Sequence, residues 1–160
     1  MQVFDASSMI YAWDNYPPEQ FPPLWSWLAG QVGSGEIVLS VVAYDEVAHK
    51  LPECAEWLVT SGVQKIAITN AILTEATKIK SALEIVGDKF HPKGVDENDL
   101  LIIATAKSLN VSLVSNESAQ KLPDVAAKRK IPAVCAMTDV SVSCKNFIDY
   151  LKASGATFGG

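Results

Sequence analysis

Short apolar runs alternate along this chain with longer stretches in which apolar residues return every three to four positions. The short runs predict strands over 2–5, 36–40 (EIVLS), 64–69 (QKIAIT) and 111–115 (VSLVS). The periodic stretches predict helices over 7–15, with Ser7 as its cap, and over LWSWLAGQV, where Leu24, Trp27, Leu28 and Val32 share a face. Gly33-Ser34-Gly35 breaks that second helix, and the proline-rich YPPEQFPP ahead of it reads as an irregular connection. Further helices are predicted over 41–50, 52–62, 70–87 and 96–110. The 70–87 helix is capped near Thr69 or Asn70 and closed by Gly87, and the 96–110 helix takes Asp96 as its cap. The tail predicts short helices over 119–130 and 144–155, then a last extended piece near 156–158. Strands alternating with helices predict an α/β fold, with parallel pairing and helices on both faces of the sheet. In such sheets the working crevice lies outside the carboxyl ends of the strands.

Composition narrows the setting. The 160 residues suit one domain spanning the whole of 1–160, large enough for a single core. No run approaches the roughly 20 apolar residues of a membrane span. No basic segment precedes the first apolar stretch, so no signal peptide is expected. Cys54, Cys135 and Cys144 show no C-x-x-C spacing and have no histidine nearby. They are expected to be free thiols in a reducing, cytoplasmic compartment, without structural zinc. The net charge of −5 excludes a protein that coats nucleic acid by charge alone, because such binding needs Lys and Arg to neutralise phosphates. It leaves open an enzyme that meets nucleic acid through metal ions.

The acids carry the chemistry. Asp5 ends the first predicted strand, Glu46 lies in the helix after the second, Asp99 is in the first turn of the helix before the fourth, and Glu117 follows the fourth. Each is at or near a strand's carboxyl end, or at a helix start able to face one. If they converge, two carboxylates 4 Å apart repel by about 4 kcal/mol at an effective dielectric near 20. Such a cluster holds extra protons or binds a cation. Oxygen ligands without Cys or His select Mg²⁺ or Mn²⁺ over Zn²⁺, and Mg²⁺ keeps several waters. Two ions roughly 3.5–4 Å apart suit phosphodiester cleavage. Ser7 is placed to orient Asp5 or a water.

Each acid taken alone also has an ordinary role. Asp99 complements a helix dipole, Glu46 and Glu117 are solvated helix-face acids, and Ser7 and Ser8 are caps. Asp5 is the exception, since an acid seldom closes an apolar run. Asp45, Asp96 and Asn116 stand beside the candidates and replace them if the register is off by one. His49 and His91 have no Ser or Cys neighbour that suggests a triad, and no phosphate-binding glycine loop is present. Trp13, Trp25, Trp27 and Trp57 read as core rather than as a base-stacking platform. KLPDVAAKRK gathers Lys121, Lys128, Arg129 and Lys130, either to touch phosphates or as a solvated basic face.

Three stretches carry a family resemblance. VFDASSMIYAW resembles the opening of PIN-domain nucleases, with Asp5 as first acid and Ser7 as the small hydroxyl residue after it. SVVAYDEV resembles their second motif, with Glu46 as its acid, and DLLIIATAKSLNVSLVSNE resembles the third and fourth, with Asp99 and the last acid position. The proline-rich segment and the tail are similar to one bacterial PIN-like subfamily of unsettled function within the VapC-type toxin superfamily. The resemblance implies a three-layer α/β/α PIN-like fold on a central, mostly parallel sheet of four or five strands. It implies Mg²⁺- or Mn²⁺-dependent cleavage of RNA, often as the toxin of a toxin–antitoxin pair, with an antitoxin protein and a homodimer as partners. Where the family's last motif usually carries Asp, two positions after Thr or Ser, this chain has Ser115, Asn116 and Glu117.

Two functions from different classes follow. The first is a metal-dependent endoribonuclease in which Asp5, Glu46 and Asp99 hold the first ion and Glu117 helps with a second ion or a bridging water. Ser7, Ser115 and Asn116 support them. The second is a PIN-like module that binds a protein partner with little or no catalysis. A phosphatase using Asp5 as nucleophile is a weaker third, because position 7 lacks a second Asp.

Overall fold

β1 (Gln2–Phe4) is the middle strand of a five-stranded, all-parallel sheet in a computed structural model that describes residues 1–118 and 120–159. β2 (Ile37–Ser40) and β4 (Ser112–Val114) flank it, with β3 (Gln64–Ile66) and β5 (Cys144–Lys145) at the edges. Gln2 lies opposite both Ile37 and Ser112, and Phe4 opposite Val114. The chain therefore builds outward from β1 to β3, then returns to the other side of β1 and builds outward again. That reversal, between β1 and β4, is the switch point at which open α/β sheets leave a crevice.

Val3, Phe4, Ile37, Val38, Leu39, Leu113 and Val114 are fully buried. Strands covered on both faces read as continuous apolar runs rather than alternation, and these do. The edge strand β3 instead exposes Gln64 and Lys65, which discourages pairing with another sheet. It stops at Ile66, three residues short of the predicted end.

Eight α-helices flank the sheet among the described residues: α1 (Ala6–Asn15), α2 (Pro22–Gly33), α3 (Val41–Lys50), α4 (Pro52–Thr60), α5 (Asn70–Ala82), α6 (Glu97–Leu109), α7 (Ile131–Cys135) and α8 (Phe147–Ser154). α6 buries Leu100, Ile102, Ile103, Ala104, Thr105 and Ala106, covering most of its circumference, as befits a helix packed on the sheet centre and on α5. Trp25 is buried, with Trp13 and Trp57 set edge-on to it at 5.2 and 4.8 Å. Trp27 is half-buried against Tyr150 and Phe158 instead. No helix among the described residues is long and apolar enough to cross a membrane.

Further corrections concern the ends of helices and the tail; α4, for one, ends at Thr60 rather than at 62. α5 ends at Ala82 rather than continuing to Gly87. Glu84 turns left-handed at φ 58°, and Ile85 N–H bonds back to the Lys80 carbonyl at 3.2 Å. Ile85 is thereby buried, so a hydrophobic contact closes the helix before the glycine is reached. In the tail, Cys144 and Lys145 pair with Leu113 and Val114 as β5, and α8 starts only at Phe147, with the Asn146 side chain accepting from Asp149 N–H. The expected extended piece at 156–158 forms no strand. The 119–130 stretch yields a single 3₁₀ turn at Ala126–Lys128, and Ala119, its first residue, lies outside the described residues.

A left-handed residue with a side chain costs roughly 1–2 kcal/mol. Glu84→Gly should therefore stabilise the protein by about 1 kcal/mol in urea unfolding, whereas the same change at Lys80, inside α5, should destabilise it by about as much.

Candidate functional site

Asp5 leaves the carboxyl end of β1 and caps α1, its carboxyl only 2% exposed. Its backbone N–H donates to the Val114 carbonyl at 2.8 Å, which ties the ends of β1 and β4 together. The Ser7 and Ser115 hydroxyls both donate to Asp5 Oδ2, Ser115 at 3.0 Å. Ser7 Oγ in turn accepts from the Asn116 N–H at 2.9 Å, and Ser115 Oγ from the Glu117 N–H at 3.3 Å. Ser7 is thus not the cap of α1, as its sequence position suggested. Ser8 Oγ donates to the Asp5 carbonyl at 2.7 Å, and Ser7 is spent on the carboxylate. Burial pushes the Asp5 carboxyl above its ordinary value, although both hydroxyls and the N–H groups of Ala6 and Ser7 pull it back.

Glu46 is half-buried on α3, one turn and a half beyond its Ser40 cap. Burial raises its carboxyl; Lys50 draws it down, and the charges of Asp5 and Asp96 raise it further. Asp99 stands in the first turn of α6 in a capping box with Asp96: Asp99 N–H donates to Asp96 Oδ1 at 2.8 Å, and Asp96 N–H to Asp99 Oδ2 at 3.0 Å. Burial, then the charges of Glu117, Asp96 and Asp5, push the Asp99 carboxyl up to about 8 despite that hydrogen bond. Glu117 accepts from the Ile131 N–H at 2.9 Å, at the start of α7. Its carboxyl is raised by burial and by Asp5 and Asp96, and lowered by Ile131 and Lys130.

The charge of Asp5 therefore reaches Glu46, Asp99 and Glu117, and that of Glu117 reaches Asp99. Among the described residues, no Lys or Arg lies within ion-pair distance of any of them. Nor do three His, Cys, Asp or Glu side chains among those residues gather closely enough to grip one ion together. The donor set is all oxygen, which fits a hard divalent cation, and one or two carboxylates completed by water are what Mg²⁺ takes. Both oxygens of Asp5 do not serve the hydroxyls, since Ser7 and Ser115 converge on Oδ2.

Of the neighbouring alternatives, Asp45 is exposed and reaches none of the other acids. Asp96, by contrast, acts on Glu46, Asp99 and Glu117 at once, besides capping α6. Asn116 is structural: its Oδ1 accepts from the Phe147 N–H at 2.9 Å and anchors α8. Sequence reading missed the Ile131 N–H that holds Glu117, because α7 is only five residues long and carries no periodic signal. The Pro132 next to Ile131 was the one hint, since proline suits the first turn of a helix.

By sequence, no curated protein matches the chain. By structure, it is similar to a chain in the crystal structure of VapBC2 from Rickettsia felis bound to a DNA fragment from their promoter. The TM-score is 0.56 and the identity 17%, over 91% of this chain and 97% of that one. It is also similar to a chain of FitAcB from Neisseria gonorrhoeae, with a TM-score of 0.54 and 14% identity over 92% of this chain and 99% of that one. At these identities the likeness is one of fold, and the fold is PIN-like. Residues 2–158 match the family described as domain of unknown function DUF4411, and the chain belongs to that family.

Proposed function

We propose that the protein is a divalent-metal-dependent endoribonuclease that acts as the toxin of a toxin–antitoxin pair. The observation that carries this reading is the buried Asp5 carboxyl at the end of the central strand, whose charge reaches Glu46, Asp99 and Glu117 from three other segments, with no Lys or Arg among the described residues at ion-pair distance from any of the four. The PIN-like fold shared with the VapBC2 and FitAcB chains supports the toxin role and an antitoxin protein as partner.

In this reading Asp5, Glu46 and Asp99 would hold an ion, one or two of them directly and the rest through its waters, and Glu117 would assist at a second ion or a bridging water. Bound Mg²⁺ or Mn²⁺ supplies positive charge against that developing on a phosphodiester, and acidifies water. The protein's part is preparation. Ser7 and Ser115 fix Asp5 through Oδ2, and both are themselves held by backbone N–H groups. Asp99, its carboxyl raised to about 8 by burial and by the neighbouring acids, holds its proton near neutrality and would give it up to ligate a cation. Asp96 deepens the negative field without leaving its cap.

A second reading, a PIN-like module that binds a protein with little or no catalysis, is favoured by one observation. Glu117 is occupied by the Ile131 N–H, and no three acids among the described residues are drawn together. Asp5→Asn separates the two. Asparagine keeps an acceptor for both serines and removes a buried charge, so Tm at neutral pH should hold or rise. Under the nuclease reading, cleavage of RNA with Mn²⁺ present should fall by about 100-fold or more. Unchanged cleavage, or no cleavage by the unaltered chain, would leave the binding module.

Stability against pH gives an independent check. A carboxyl whose folded pKa exceeds its unfolded one keeps its proton in the native chain after the unfolded chain has lost it, so stability falls as pH rises. For Asp99 that window runs from its ordinary 3.8 to about 8. Without metal, Tm should decline across this range, and Asp99→Asn should flatten the decline. Mg²⁺ or Mn²⁺ should restore Tm most at the alkaline end. A Tm level with pH and indifferent to both ions would contradict the cation site.

A further inference from the structure

A cleft of about 520 Å³ opens beside Glu117, lined by Pro92, Lys93, Gly94, Glu117, Gln120 and Lys130. Its walls are tied to one another. Val95 N–H donates to the Arg129 carbonyl at 3.0 Å. Gly94 packs so tightly that a Cβ there would collide with the Ala127 carbonyl oxygen. The Gln120 side chain clasps the other wall, accepting from Lys130 N–H and donating to the Lys128 carbonyl. The cleft is therefore held open by backbone contacts, and its two lysines project from fixed positions in the chain.

Neither Lys93 nor Lys130 has a carboxylate within ion-pair distance among the described residues. Arg129, next in the chain to Lys130, keeps a buried Nε–H with no acceptor. In a protein of net charge −5, unpaired cations thus stand against the margin of its most acidic site. A polyanion approaching four carboxylates is repelled unless cations on that margin receive it, and lysine binds phosphate as a compact point charge.

We propose that this cleft is a phosphate subsite, in which Lys93 and Lys130 hold a phosphodiester of the RNA backbone flanking the bond to be cleaved. The identity of the ligand as RNA rests on the nuclease reading above. Both lysines are positioning residues: they bring the strand to Glu117 and Asp5 and leave the chemistry to the acids. Lys130 also draws down the Glu117 carboxyl, but Lys93 does not figure among the groups acting on it, so Lys93 isolates the binding role.

The test measures binding apart from cleavage. A fluorescent single-stranded oligoribonucleotide is titrated by anisotropy against the Asp5→Asn chain, and against the unaltered chain in chelator, across a range of salt. Each phosphate contact on a single strand contributes about 0.7 to the slope of log affinity against log salt. Lys93→Gln should weaken binding about fivefold near 0.1 M salt and reduce the slope by about 0.7, and Lys93→Gln/Lys130→Gln by about twice that slope. In the cleaving chain, Lys93→Gln should raise KM with kcat retained. The control is Lys78→Gln/Lys152→Gln, which removes two exposed charges outside the cleft and should alter neither quantity; circular dichroism and Tm verify that every variant is folded. Equal losses in the control, or no loss in the cleft variants, overturn the proposal. RNA cleaved in an Asp5-dependent way with unaffected lysine variants sinks the subsite alone. RNA bound through the lysines but never cleaved sinks the nuclease reading alone.

Discussion

A carboxylate sealed into the end of the central strand is what the rest of this site is arranged around. Asp5 is 2% exposed, and taking a charge out of water is costly unless it is hydrogen-bonded. Two hydroxyls and two backbone N–H groups meet that need, and α1 begins at Asp5 so that the helix N-terminus faces it. Even so, burial outweighs all four, and the carboxyl is pushed toward its neutral form. The strand thus carries into the interior a group that is incompletely compensated by the protein alone.

The cradle depends on strand order. Ser115 is 110 residues from Asp5 in sequence, yet it follows β4 as Asp5 follows β1, and these strands are hydrogen-bonded neighbours in parallel. Residues just past the ends of two adjacent parallel strands in register must emerge side by side. The same logic places Asn116 beside Ser7, whose hydroxyl accepts from the Asn116 N–H, and the Glu117 N–H turns back onto the Ser115 hydroxyl. Without the reversal of strand order at β1, Ser115 would have come out one or more strands away, and the carboxylate would have lost half of its hydroxyl donors.

Around this centre the charges are graded. Asp99 and Asp96 lock each other into a capping box, which fixes two carboxyl groups at the start of α6 and keeps them near Glu117 and Asp5. Glu117 is held on its other side by α7, the helix that follows directly on the basic segment Lys128-Arg129-Lys130. One short helix therefore joins the acidic centre to the cationic wall beside it. The glycine at 94 permits that wall to close against the loop before α6, since any side chain there meets the Ala127 carbonyl. Acidic centre and basic margin are consequently parts of one packed unit.

How much of this the sequence disclosed differs from element to element. Strands and helices with strong local signals read true: the buried runs of β1, β2 and β4 and the Asp96 cap of α6, while of the two caps offered for α5, Thr69 and Asn70, the structure takes Thr69. β5 and α7 did not, because two residues of strand exist only by pairing with β4, and five residues of helix have too few turns for a period. The end of α5 was misread because the burial of Ile85, a tertiary event, closes it before Gly87 can. By itself the sequence determined that an acid closes the first strand, a costly place for a charge in an apolar run, and that others stand near strand ends and helix starts. Which of those acids feel one another, that Ser7 serves the carboxylate instead of a helix cap, and that Lys93 and Lys130 flank Glu117, only the tertiary structure decided. Those relations are set by strand order and close packing between segments far apart in the chain, and local patterning carries no information about either.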